Sequence, residues 1–290
     1  MNENNSLAVI TGPTSGIGKA FAQELANQGY NLVLVARNKP KLQELIRELT
    51  DKFNVKIKGV DADLSVAEDI AKVEKVISSL SRIDLLINNA GFGVGGYFIE
   101  VPLSKQLDML TVHLNSTIRF CRAAIPVMAN QKVKGNIINV ASFAVFIDVP
   151  GNVMYSTTKS AVVHFSKTLQ CEVKDYNIKI QALCPVFTPT SFHESINRDL
   201  SFMKNIPDFF WTPVDDVINS SLNGLHSGSV ICIPGRFNKL IYWFNKFPLF
   251  SILIQKLTLM LNNRDKAPVI NEIDEKKKEK VSLVESEVVD

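Results

Sequence analysis

Short apolar runs bounded by turn residues alternate with segments of helical period along most of this chain, and that alternation leaves few folds open to it. The runs Ser6 to Thr11, Asn31 to Ala36, Val55 to Val60, Ile83 to Asn88, Gly135 to Ala141, Ile178 to Cys184 and Ser229 to Ile233 read as strands. Between them, Gly16 to Gln28, Pro40 to Phe53, Val66 to Leu80, Leu103 to Asn130, Val153 to Tyr176 and Pro213 to Leu225 read as helices. Strands that are apolar almost throughout, instead of at every second residue, are buried on both faces. Strands separated by helices are joined by crossovers and so run parallel. The predicted fold is therefore α/β: a doubly wound parallel sheet of about seven strands with helices on both faces. The repetition is the winding of the sheet, with no separate sequence repeat.

A chain of 290 residues, 46% of them hydrophobic, can bury one large α/β core without a second domain. Its net charge of +3, spread over interspersed charges of both signs, gives no basic stripe for nucleic acid, and that class is set aside. Four Cys and four His lie scattered without C-x-x-C spacing, so no metal is expected, and Cys184 and Cys232 in apolar runs read as small core hydrophobes. The N-terminus shows neither a basic region nor a cleavable apolar stretch. A reducing, cytoplasmic setting is expected.

The first strand ends at Thr11, and Gly12-Pro13-Thr14-Ser15-Gly16-Ile17-Gly18 follows as a turn into a helix. Glycines there let the chain reverse tightly, let the backbone approach a pyrophosphate and let the helix pack on the sheet. The phosphate then faces the free amides and positive end of that helix. At the end of the second strand, where a carboxylate would hold the ribose hydroxyls of NAD, the sequence reads Ala36-Arg37. Ala36 leaves space and Arg37 offers a planar cation to a 2′-phosphate, so NADP(H) is expected over NAD(H). Asp63 and Leu64 stand where an adenine edge would lie, and Asn88-Asn89-Ala90-Gly91 closes the fourth strand beneath the cofactor.

A second set of spacings carries the chemistry: Asn115, Ser142 twenty-seven residues on, Tyr155 thirteen further, and Lys159 one helical turn beyond. Reducing a ketone needs hydride at carbon, which a nicotinamide supplies, and a proton at oxygen. A free phenol with a pKa near about 10 is poorly matched to that transfer at neutral pH. Lys159, four residues along the same helix face, is expected to place its ammonium beneath the Tyr155 phenol and favour the phenolate. Ser142, at the end of the fifth strand, would hydrogen-bond the substrate oxygen. Tyr242 to Lys246 repeats the Tyr-x-x-x-Lys pattern with Ser229 upstream, but Phe202 stands where the earlier Asn would be, and no dinucleotide turn precedes it at the right distance.

Over Ser6 to Arg236 the chain resembles the short-chain dehydrogenase/reductase family, in the TGxxxGIG turn, Asp63-Leu64, the NNAG run, Asn115, Ser142, and Tyr155 with Lys159. The glycine-turn stretch through Arg37 is similar to the branch of hydroxysteroid dehydrogenases and very-long-chain 3-oxoacyl thioester reductases. The resemblance implies a Rossmann-type catalytic domain over residues 1–236. It implies that Lys159 also bonds the nicotinamide ribose and that Asn115 anchors a water joining Lys159 to solvent. It further implies nicotinamide contacts from Pro185, Thr188 and Thr190. The family commonly has Pro-Gly after the sixth strand, where this chain has Pro185-Val186.

The expected activity is NADP(H)-dependent interconversion of a ketone and a secondary alcohol on a lipophilic molecule such as an oxoacyl thioester or a steroid. The alternative is a catalytically idle NADP-binding scaffold, which would be expected to have lost Tyr155 or Lys159. Aromatic residues at 188–211 read as a lid over an apolar substrate. Residues 237–265 read as an apolar helical extension, broken by Lys246 and Lys256 before it reaches the length of a membrane span. Its 237–261 stretch could lie in a membrane interface, line the substrate cavity or cover a contact within a homo-oligomer. Residues 266–290 read as a charged, disordered tail.

Overall fold

A computed structural model of the chain describes residues 6–131, 133–190, 210–245 and Lys256. Seven parallel strands form its centre: β1 (Leu7–Thr11), β2 (Asn31–Ala36), β3 (Ile57–Asp61), β4 (Leu85–Asn88), β5 (Gly135–Val140), β6 (Ile178–Leu183) and β7 (Ile231–Cys232). Their order across the sheet is β3-β2-β1-β4-β5-β6-β7. The connecting helices are α1 (Gly16–Asn27), α2 (Lys39–Phe53), α3 (Ala67–Ser78), α4 (Leu103–Leu110), α5 (Ser116–Asn130), α6 (Val153–Val173) and α7 (Val214–Ser227), with α8 (Arg236–Phe244) after the last strand.

Alternate residues of one strand feed opposite layers, which is why the strands are apolar throughout. Ala8 and Ile10 of β1 join Leu32 and Leu34 in a core packed by Phe21 and Leu25 of α1 and Leu45 of α2. Val9, between them, joins Val33 and Leu86 in a core packed by Ile70 and Val73 of α3 and Phe120 and Met128 of α5. Pairing of Val9 with both Val33 and Leu86 fixes β1 between β2 and β4 and keeps each layer in register.

Strand ends fall slightly inside the expected runs. Lys56 and Asp84 lie outside β3 and β4, yet Leu32 N–H donates to the Lys56 carbonyl and Asp84 N–H to the Leu7 carbonyl, each at 2.9 Å. The larger difference concerns the single helix expected over Leu103 to Asn130. It is divided by a π-helical turn, Thr111–Asn115, into α4 and α5. An i to i+5 turn admits one extra residue and rotates the downstream helix, so the side-chain phase of a straight helix does not carry across it. Residues 191–209 of the expected lid and most of the stretch beyond α8 lie outside the described residues.

Phe120 is wholly buried between α5 and the sheet, whereas Ile118 on the same helix is exposed. Phe120→Ala should cost about 3–5 kcal/mol in urea unfolding, and Ile118→Ala less than about 0.5 kcal/mol. Equal effects would contradict the placement of α5.

Candidate active site

Helices leave opposite faces of the sheet on either side of the β1–β4 boundary, so a crevice opens at the carboxyl ends of these two strands. The glycine turn lies there. Gly12 and Gly16 adopt left-handed backbone, with φ of 67° and 53°. A Cβ on Gly18 would stand 2.2 Å from the Gly12 carbonyl oxygen, so only glycine lets α1 sit this close to the turn. Ser15, the residue before α1, makes no side-chain cap, which leaves the first-turn amides open to a ligand. A close backbone approach, open amides and a helix N-terminus together fit a dinucleotide pyrophosphate.

The turn is fastened from β4. The Asn89 side-chain amide donates to the carbonyls of Thr11 and Gly12, each at 3.0 Å. The Thr11 hydroxyl accepts from the backbone N–H groups of Asn89 and Ala90, also at 3.0 Å. On the other side, Thr190 approaches the turn: a Cβ on Gly16 would lie 3.2 Å from the Thr190 Cβ. Thr188 is buried, its hydroxyl directed to the Val186 carbonyl. Pro185 accepts from Phe143 N–H at 2.8 Å, tying its loop to the segment after Ser142.

Arg37 is exposed directly beyond β2. Asp63 lies close enough to feel it: hydrogen bonds from the Ser65 backbone and hydroxyl, then the Arg37 charge, hold its carboxyl below the usual carboxylate range. Leu64 is buried behind. The expected adenosine end thus has a carboxylate within the influence of the Arg37 charge.

Ser142 lies two residues beyond β5 and Tyr155 in the first turn of α6, and their hydroxyls hydrogen-bond each other. Lys159, one turn further along α6, is buried and donates from Nζ to the Val140 carbonyl at 2.7 Å. Burial lowers the Lys159 ammonium to about 8. Burial likewise dominates at Tyr155 and raises the phenol above its ordinary value, with the Ser142 hydrogen bond opposing. The Lys159 ammonium is held by the Val140 carbonyl, one helical turn along α6 from the Tyr155 phenol.

Asn115 requires a correction. It ends the π turn and is exposed to solvent, and nothing in the described structure brings it to Tyr155 or Lys159. His113, two residues earlier, faces inward instead. It is buried, its ring is edge-on to Tyr155 at 5.7 Å, and a Cβ on Gly91 would lie 3.0 Å from its Nε2 and 3.5 Å from Lys159 Nζ. Spacing along the chain does not single it out. The signal is helical phase, since His113 shares a face with the buried Met109, Ser116, Thr117 and Phe120.

Residues 6–201 match the family model described as short chain dehydrogenase. Among curated relatives, the very-long-chain 3-oxoacyl-CoA reductase of Anas platyrhynchos is 33% identical over 79% of this chain and 72% of its own length. A very-long-chain 3-oxoacyl-CoA reductase of Danio rerio is 35% identical over 63% of this chain, which spans 60% of that protein. The 3-oxoacyl-[acyl-carrier-protein] reductase FabG of Aquifex aeolicus (strain VF5) is 29% identical over 79% of this chain and 96% of its own. Of solved structures, a short-chain dehydrogenase from Sphingobium yanoikuyae in complex with NADPH superposes with a TM-score of 0.75 at 28% identity, covering 91% of this chain and 98% of that one. The bulky-bulky ketone specific alcohol dehydrogenase from Comamonas testosteroni gives 0.71 at 30% identity, covering 82% and 91%. With the seven-stranded sheet, its glycine turn and the joined hydroxyls of Ser142 and Tyr155, these matches establish that the chain belongs to the short-chain dehydrogenase/reductase family.

Proposed function

We propose that this protein is an NADP(H)-dependent reductase that interconverts a ketone and a secondary alcohol on a lipophilic substrate, with an oxoacyl thioester as the preferred class. The observation that carries this reading is the hydrogen-bonded pair of Ser142 and Tyr155, with Lys159 one turn away, at the mouth of the β1–β4 crevice. When bound, the nicotinamide supplies hydride to the carbonyl carbon. Ser142 would hold the carbonyl oxygen, where negative charge develops, and Tyr155 would give that oxygen its proton. Below a pH of about 8 Lys159 keeps its ammonium, and its nearness to the phenol would let it support the charge left on Tyr155.

The substrate class is drawn from the names of the related 3-oxoacyl reductases and from an apolar wall behind the pair. Phe146 contacts Phe143 on one side and Tyr242 of α8 on the other, at ring distances of 5.5 and 4.6 Å. Asn245, at the end of α8, hydrogen-bonds the Phe146 carbonyl. The inner face of α8 therefore supports the segment after Ser142, and we read residues 1–236 as the catalytic unit and 237–265 as an extension of it. The outer face of α8 exposes Phe237, Leu240, Trp243 and Phe244. No helix among the described residues is long and apolar enough to cross a membrane. Aromatic residues beside Arg236 and Lys239 suit a peripheral contact with anionic lipid. A separate exposed stripe on α4, Leu103, Leu107 and Leu110, suits a contact between copies of the chain.

Tyr155→Phe should lower turnover by about 10²- to 10⁴-fold with little change in NADPH affinity, because it removes the transferable proton and leaves the ring. Tyr242→Phe, the matched change in the decoy Tyr-x-x-x-Lys, should leave turnover within about twofold. A Tyr155→Phe enzyme with half the wild-type rate would refute the assignment.

Arg37→Ala should weaken NADPH by about 10- to 150-fold, the worth of a charge-assisted hydrogen bond, and leave NADH nearly unchanged. Ala36→Asp should reverse the preference by repelling the 2′-phosphate and accepting from the ribose hydroxyls. Titrations in which Arg37→Ala weakens both cofactors equally would show that Arg37 does not read the phosphate.

Leu240→Ser combined with Trp243→Ser should abolish co-sedimentation with anionic liposomes while leaving thermal stability unchanged. Equal pelleting of variant and wild type would reject the lipid contact.

A further inference from the structure

The turnover chemistry just proposed uses Ser142, Tyr155 and Lys159, and leaves unexplained a buried imidazole in contact with the same pair. Both ring nitrogens of His113 are engaged. Nε2 accepts from the Phe92 backbone N–H at 3.1 Å. A backbone amide can only donate, so Nε2 carries no proton, and in the neutral ring the proton lies on Nδ1. Nδ1 then donates to the Thr158 hydroxyl at 2.9 Å, and Thr158 donates in turn to the Tyr155 carbonyl at 3.0 Å. The chain of donors closes with none left over.

Protonating this ring would orphan the Phe92 N–H and bury a second cation beside Lys159. Burial and the Lys159 charge both push the His113 pKa well below 6.5. The groups facing His113 are Phe92 from the loop after β4, and Tyr155, Thr158 and Lys159 from α6. Those facing Lys159 are the Val140 carbonyl of β5, Cys184 after β6 and His113. None is a carboxylate, so nothing offsets a positive imidazole.

We propose that His113 is a positioning residue of this site: a neutral imidazole, fixed as the Nδ1–H tautomer, that ties the loop after β4 to the Tyr155–Lys159 face of α6 and neither takes up a second proton nor passes one on. The His113 carbonyl is held in turn, accepting from the Thr117 hydroxyl one turn further on at 2.8 Å. The inference rests on the reading of Tyr155 and Lys159 as the reacting pair.

The test compares His113→Phe, which keeps the ring volume and loses both bonds, with His113→Asn and His113→Gln, whose amides replace the Nδ1 and Nε2 ends respectively. In the full-length protein, His113→Phe should lower kcat by about 10- to 100-fold through misplacement of the pair. Asn and Gln should each recover part of that loss. The deficit should be uniform from pH 5.5 to 7.5, because no proton on His113 is being removed. If wild type shows an inflection in that range that all three variants lack, His113 takes up a second proton there and the proposal is overturned. Lower melting temperatures with unchanged kcat would overturn it too, by making His113 merely structural.

A second readout needs no turnover. The unfolded chain takes up a proton at His113 below about 6.5 and the folded protein refuses it, so folded stability is complete above that pH and falls as pH drops. The melting temperature of wild type should therefore fall more steeply from pH 7.5 to 5.5 than that of His113→Gln or His113→Phe. Parallel curves would mean the folded protein accepts the proton, which contradicts the neutral lock. A wild type inactive on every carbonyl would refute the reductase reading while these melting curves still judge His113.

Discussion

The joint between β1 and β4 is the constraint on which the site depends. These adjacent strands are far apart in sequence, and the helices that come after them pack on opposite faces of the sheet. Their carboxyl ends diverge into a crevice that would have no fixed shape without a tie across it. Asn89 and Thr11 make that tie with four hydrogen bonds, two from the Asn89 amide to the turn and two from backbone N–H groups to the Thr11 hydroxyl. Because Gly18 brings α1 against the same Gly12 carbonyl, strand, turn and helix are held by one small set of atoms. The amides left open at the start of α1 therefore point in a direction set by β4, which also leads to Gly91 and the catalytic side of the crevice.

On that side, burial governs the acid–base groups. It raises the Tyr155 phenol and lowers the Lys159 ammonium, so neither group keeps the proton affinity it has in water. A reaction that moves a proton through such a pair needs their separation to stay fixed. Ser142, at the start of the turn that follows β5, restrains the phenol, the Val140 carbonyl of β5 restrains the ammonium, and His113 of the π turn braces the helix that carries both. The three restraints come from different elements, so the geometry is a property of the whole α/β packing and not of α6 alone.

The parts of this arrangement that the sequence expressed plainly are those where backbone geometry demands a residue type. Glycines at 12, 16 and 18 announce the turn because no other residue permits that approach, and continuous apolar runs announce a sheet covered on both faces. Ser142, Tyr155 and Lys159 were legible because a strand end and one helical turn hold their spacing. Asn115 was not, because its position was read from distance along the chain and not from helical phase, which groups His113 with the buried Met109, Ser116, Thr117 and Phe120. Asn115 lies in solvent and His113 faces inward. Thr190 lies near the glycine turn although Val186 replaces the glycine expected before it, since the Pro185 carbonyl is anchored by Phe143 and not by a special backbone angle.

The central claim is that Ser142 and Tyr155 receive a carbonyl to which hydride passes directly from a nicotinamide. Its most direct test is isotopic: NADPH labelled with deuterium at the transferred position, a long-chain 3-oxoacyl thioester, and mass analysis of the product. The account predicts a 3-hydroxyacyl thioester carrying one deuterium on the carbinol carbon. Cofactor oxidation without that label in the product, or a product formed with hydrogen from water at that carbon, would contradict it.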